Sequence, residues 1–176
     1  MPDAPGLELI AHEINSRHEG AIVGTAFEHG QAVLLADPGL IRETLGFLRD
    51  EPAHAYRFLA SVHGADYLPA APRFAVHYEL LNMPRVERLR VKALLADPGD
   101  DGLPELDSVV DLFPTADFQE REAHDFFGIV FRGHPDLRRI LMPEDYVGWP
   151  QRRDFPIGGE PVIFTATEDT VPGWTR

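Results

Sequence analysis

RFAVHYELLNMPRVERLRVKALLA, residues 73–96, is the stretch whose reading decides the fold. Phe74, Val76, Tyr78 and Leu80 alternate with Arg73, Ala75, His77 and Glu79, the period of a strand with one face in a core. Val86, Leu89, Val91 and Ala93 repeat that pattern less strictly, and Pro84 between the two runs marks a hairpin connection.

Working upstream, YRFLASVHGADYL (56–68) reads as another strand. GLELIAHEINSR (6–17) places Leu7, Leu9, Ile10 and Ile14 at roughly helical spacing. AIVGTAFEHGQAVLLA (21–36) reads as two strands, Ala21 to Glu28 and Gln31 to Ala36, joined at His29-Gly30, where the glycine supplies the positive φ of a tight hairpin. Asp37-Pro38 then offers a cap and a proline at the first helical position, and LIRETLGFLRD continues with apolar residues at 40, 41, 45 and 48. The order α-β-β-α-β-β-β predicts an α+β fold: two layers, a mostly antiparallel mixed sheet with helices on one face.

Downstream, no positive residue occurs from Ala93 to Glu120, and DPGDDGLPELD (97–107) reads as a solvated loop. A further helix runs from about Thr115, whose hydroxyl can cap it, to a break at Gly128. Prolines at 135, 143, 150, 156, 161 and 172 then leave no room for a helix of usual length. The expected division is an α+β domain over 1–131 and an extended, proline-punctuated tail over 132–176.

The composition, 44% hydrophobic and 26% charged over 176 residues, suits one globular domain plus an appendage. A net charge of -13 argues against a nucleic-acid partner, which requires clustered Lys and Arg. Without cysteine there is no disulfide framework, no thiolate nucleophile, and no Cys-held zinc or iron–sulfur cluster in this chain. No apolar run approaches the roughly 18 residues of a membrane helix. MPDAPGLELIAHEI lacks the basic start and apolar core of a signal peptide, so the chain is expected to stay in the cytoplasm. Neither phosphate-binding glycine pattern, G-x-G-x-x-G or G-x-x-x-x-G-K-[ST], occurs, and G-x-S-x-G and H-E-x-x-H are absent too.

One dense polar constellation remains, EREAHD at 120–125. On a helix Glu120 and His124 share a face at i, i+4, as do Arg121 and Asp125, while Glu120 and Glu122 diverge. One reading is a metal site for Zn, Fe or Mn on Glu120, His124 and a folded-back His134, and with it a small metal-dependent enzyme. The weightier reading is a charged helix docking an adjacent loop, because two histidines without repeated spacing define no ligand set; no metal, cofactor-binding or catalytic residue is assigned.

The tail carries Leu137, Ile140, Leu141, Met142, Tyr146, Trp149, Phe155, Ile163, Phe164 and Trp174. Large apolar groups left in water forfeit roughly 1.5–3 kcal/mol each, so a ribbon this greasy packs on something. Two placements stay open: it wraps its own domain, or it lies on another protein, with Arg138, Arg139, Arg152 and Arg153 paired to carboxylates across the boundary.

ERE at 120–122, Asp125, FGI at 127–129, Phe131, GHPDLRRILMPED at 133–145 and GWPQRRDFP at 148–156 together resemble the signature of the 30-kDa, or C-type, subunit of NADH:quinone oxidoreductase, respiratory complex I. With the preceding order of elements, the likeness covers nearly the whole chain. It implies a non-catalytic subunit of the peripheral arm on the cytoplasmic side of a bacterial plasma membrane. There the complex passes electrons from NADH through FMN and iron–sulfur clusters to quinone and translocates protons. Those cofactors belong to other chains and none is expected in this one. The implied partners are the 49-kDa-type (D-type) subunit and the cluster-bearing (B-type) subunit. Glu120, Arg121, Glu122 and Asp125 are expected to tie a helix ending at Gly128 to the loop at Gly133, His134 and Pro135. Arg138, Arg139, Trp149, Arg152, Arg153, Asp154 and Phe155 are the expected partner anchors. Complex-I-like membrane-bound hydrogenases and related oxidoreductases carry similar subunits, and an equivalent place in one of them is the alternative.

Overall fold

A computed structural model describes residues 1–99 and 102–156. Ile163, Phe164 and Trp174, the last of the tail's expected anchors, lie outside the described residues. The elements run α1 (Ala4–Arg17), β1 (Ile22–Glu28), β2 (Gln31–Ala36), a 3-10 turn (Pro38–Leu40), α2 (Ile41–Asp50), β3 (Phe58–Asp66), β4 (Phe74–Asn82), β5 (Glu87–Leu95), β6 (Glu105–Asp107), α3 (Ala116–Phe127) and β7 (Val130–Arg132). No described helix is long and apolar enough to cross a membrane.

β1 to β5 form one sheet in the order β1-β2-β5-β4-β3, antiparallel except for the parallel pair β2–β5. His29 and Gly30 both take positive φ, 52° and 76°, as a two-residue hairpin turn between right-twisted strands requires. The Asp3 carboxylate accepts from the Gly6 amide at the start of α1, and Asp37 likewise accepts from Gly39 at the 3-10 turn that leads into α2. Phe74, Val76, Tyr78 and Leu80 of β4, with Leu89, Val91, Ala93 and Leu95 of β5, are buried in the core as read, but Arg73, Ala75 and His77 are buried too, so β4 is covered on both faces and not on one. The core-facing apolar residues pack with Leu7, Ile10 and Ile14 of α1 and Ile41, Leu45 and Leu48 of α2. Val86 falls out of the pattern, 87% exposed at the hairpin tip.

α3 runs along β3, an outer strand of the sheet. The Gln119 side chain accepts from the Val62 amide and the Thr115 hydroxyl donates to the Leu59 carbonyl, so α3 caps backbone groups that an edge strand otherwise leaves open. Gly64 is required there, because a Cβ would come within 2.6 Å of the Phe127 ring. A second, two-stranded sheet pairs β6 with β7 in parallel, Leu106 opposite Phe131, both fully buried. The acidic stretch read as a wholly solvated loop therefore contributes a strand, and regular structure continues past Gly128.

Candidate partner-docking site

α3 is the platform for the chain that follows it. Gly128 ends the helix in the left-handed conformation, φ 72°, with its amide donating to the His124 carbonyl, and turns the chain into β7. Gly133, φ 79°, turns it again and sends residues 134–156 back across α3 as an irregular strap.

Asp125 holds this strap. Its side chain is fully buried, and Oδ2 accepts from three consecutive amides, Ile140 at 3.1 Å and Leu141 and Met142 at 2.8 Å each. Oδ1 accepts from Arg139 Nη1 at 2.7 Å. Burial alone pushes this carboxyl up, but the Met142 amide, the Arg139 guanidinium and the other two amides outweigh it and hold it below the usual aspartate range. A carboxylate ringed by backbone donors fixes the path of the chain more tightly than a single ion pair does.

Other contacts clamp the strap from end to end. The His134 ring, fully buried, bonds through Nε2 to the Asp117 carbonyl at 3.1 Å and through Nδ1 to the Asp136 amide at 3.0 Å. Arg121 donates to the carbonyls of Arg138 and Arg139. Trp149 covers Gly128 so closely that a Cβ would meet the indole at 2.6 Å, with the Arg139 guanidinium over its ring at 4.5 Å. Arg139 also donates to the Gly148 carbonyl, and Arg152 donates to that of Phe127 while covering the Phe74 ring.

The far end is fastened to the sheet. Arg73, barely exposed, donates to Asp66, Asp97 and Asp154 at 2.6–3.0 Å, so one guanidinium joins β3, the end of β5 and the strap. Against the effect of its own burial, Arg73 and the amides of Leu68 and Arg153 bring Asp66 down to about 2. Arg153 donates from Nη1 to the Leu68 carbonyl at 2.7 Å. Phe155 stacks on Tyr146 and lies against Gly148.

Not every motif residue faces the strap. Glu120 points the other way, fully buried, accepting from the Ser108 hydroxyl at 2.6 Å and the Val109 amide at 2.8 Å, and so ties α3 to the chain leaving β6. Burial pushes it up to about 7. Glu122 is exposed, and Pro135 forms part of the exposed turn after Gly133. Asp125 pairs with Arg139 rather than with Arg121, its i−4 neighbour. Phe118 is 63% exposed beneath the Arg121 guanidinium. The carbonyl of Asp117 as His134's partner gives no sequence signal, since any residue supplies a carbonyl.

The residues of the metal reading are engaged with other partners. Glu120 is spent on Ser108 and Val109, His124 donates from Nδ1 to the Ile129 carbonyl at 3.0 Å, and His134 binds Asp117. No group of three His, Asp or Glu side chains suited to a metal occurs among the described residues.

Charged residues of the strap read as anchors are engaged within the chain itself: Arg138 with Asp136, Arg139 with Asp125, Arg152 with Phe127, Arg153 with Leu68, and Asp154 with Arg73. Through residue 156, wrapping of its own domain is thus the larger part of what the strap does.

Fold and site define an α+β module whose buried charges hold a surface-mounted strap in a fixed course. The family described as the respiratory-chain NADH dehydrogenase 30 kDa subunit matches residues 34–161. The C-type subunit of NADH-quinone oxidoreductase from Saccharopolyspora erythraea is 42% identical over 174 residues, 98% of this chain and 68% of the relative. The protein of the same name from Herpetosiphon aurantiacus is 45% identical over 144 residues, 82% of each chain. Among solved structures, a chain of an archaeal membrane-bound sulfane sulfur reductase complex shares the fold, with a TM-score of 0.66, 22% identity and 85% of each chain covered. This chain belongs to the 30 kDa subunit family of respiratory-chain NADH dehydrogenase.

Proposed function

We propose that this chain is a non-catalytic subunit of the peripheral arm of an NADH:quinone oxidoreductase, stabilising its quinone-side module. In this reading residues 1–131 are the body and 132–176 the partner-binding tail. The partners are the 49-kDa-type subunit and the cluster-bearing subunit, on the cytoplasmic side of the plasma membrane. NADH, FMN, iron–sulfur clusters and quinone are held by those and other chains.

One observation carries the proposal beyond family membership: buried charged side chains at the strap are spent on backbone and on each other. Asp125 holds amides, Arg152 a carbonyl and Arg73 three carboxylates. A chain built this way presents a shaped surface, as a scaffold does.

The test is to extract membranes of the native host with mild detergent, capture the full chain by an affinity tag and identify what travels with it. The 49-kDa-type and cluster-bearing subunits recovered together with NADH-dependent quinone reduction are the expected result. Recovery of the chain alone, or with hydrogenase-type subunits in their place, contradicts it.

A further inference from the structure

Asp125 fixes a loop whose tip faces outward. Leu141, whose amide is the middle one of the three that Asp125 binds, has its side chain 62% exposed, and Val147 at the other end of the loop is 88% exposed. Between them Pro143, Glu144 and Asp145 are exposed, with the Glu144 carboxylate within electrostatic reach of Arg138. The base of the loop is closed by Arg139, which joins Asp125 on one side to the Gly148 carbonyl on the other.

The strap's guanidinium groups are engaged within the chain, while these two apolar side chains and two carboxylates are left to the outside. Single exposed apolar side chains are ordinary on a protein surface, but here two stand on one short loop whose ends are pinned by hydrogen bonds, with two carboxylates between them. A loop fixed in advance also loses less freedom on binding than a mobile one.

We propose that residues 141–147 form a docking knob, Leu141 and Val147 entering an apolar recess of a partner protein whose rim carries Arg or Lys opposite Glu144 and Asp145. This rests on the subunit reading above and names the chemistry of its contact. A protein recess is the occupant because charge selects it. Nucleic acid and anionic lipid both repel Glu144 and Asp145 on a chain of net charge -13, whereas a basic rim complements them. The knob moves the expected contact from the strap's arginines to its apolar tip.

The test compares three full-length chains in the native host: wild type, Leu141→Asp with Val147→Asp, and Glu144→Lys with Asp145→Lys. The altered side chains are exposed, so each purified variant should stay folded, with a thermal midpoint within about 3 °C of wild type. The apolar pair should weaken capture of the partner about tenfold to hundredfold. The charge pair should slow association about tenfold at low salt, with the difference fading at high salt. Wild-type binding by both variants overturns the knob and leaves the subunit reading standing. A wild-type chain that captures no partner overturns both.

Discussion

Replacing Asp125 with asparagine preserves the side chain's shape and removes its charge. In the wild type Oδ2 accepts three amides and Oδ1 accepts Arg139. An asparagine turned with its oxygen to the amides points its own NH2 at the guanidinium, and turned the other way points it at three N–H groups. Removing one partner of a buried pair costs about 3–5 kcal/mol. Here Arg139 keeps the carbonyls of Asp125 and Gly148 and the strap amides are only part-buried, so a loss of about 2–4 kcal/mol is expected. For a chain of this size that lowers the thermal midpoint by roughly 5–15 °C. Urea unfolding at neutral pH, followed by far-ultraviolet circular dichroism, measures it. The sign with pH is fixed by the depressed carboxyl. Its stabilisation is complete above the unfolded aspartate value and is lost as pH falls through the folded one, so the gap between wild type and variant closes in acid. A variant within about 0.5 kcal/mol of wild type at neutral pH refutes the assignment of Asp125 as the strap's anchor.

Glu120 has the opposite sign: burial raises it to about 7, so the folded state holds a proton that the unfolded state releases near the ordinary glutamate value. Stability falls as pH rises between those values, by on the order of 3 kcal/mol, and Glu120→Gln should remove that slope in urea titrations at about pH 5 and about pH 8. His77, kept at about 3 chiefly by burial, contributes the reverse slope below the histidine range, so the difference between wild type and Glu120→Gln is the quantity to compare. Gly128→Ala places a Cβ at positive φ and into the Trp149 indole; a loss of about 2 kcal/mol or more and altered Trp149 fluorescence are expected. Arg73→Met strands Asp66, 1% exposed, without its cation, and should cost about 3–5 kcal/mol by thermal unfolding. Reversing Arg152 and Arg153 to Glu should lower the stability of the isolated chain by more than about 1 kcal/mol, because Arg152 holds the Phe127 carbonyl.

The strands were legible because their sequence carries the period the sheet imposes: Phe74, Val76, Tyr78 and Leu80 alternate and all lie in the core, while the burial of Ala75 and His77 on the other face was not legible. The cap at Asp37, the hairpin at His29-Gly30 and the stop at Gly128 were legible for the same reason, since backbone geometry restricts which residues stand there. The parallel pairing of β2 with β5 was not, because it joins segments more than fifty residues apart and no local pattern encodes it. Three-residue β6 and β7 are too short to show a period.

At the site, the family likeness placed Asp125 with the loop at His134 and gave Arg139 and Trp149 as partner anchors, yet did not show that Asp125 binds Arg139. Much of the strap's satisfaction comes from backbone groups, which leave no trace in composition. Arg73 and Asp154 lie 81 positions apart, and one arginine looks like another until the fold brings a carboxylate to it. Pairing between two proteins and pairing within one chain use the same chemistry, so residue types alone left both open.

The central claim is that the strap is built into the fold before any partner arrives. Amide hydrogen exchange of Ile140, Leu141 and Met142 in the isolated chain tests it most directly. Protection comparable to α3 in all three is the predicted result. Exchange at the rate of an unstructured peptide, with α3 still protected, contradicts the account.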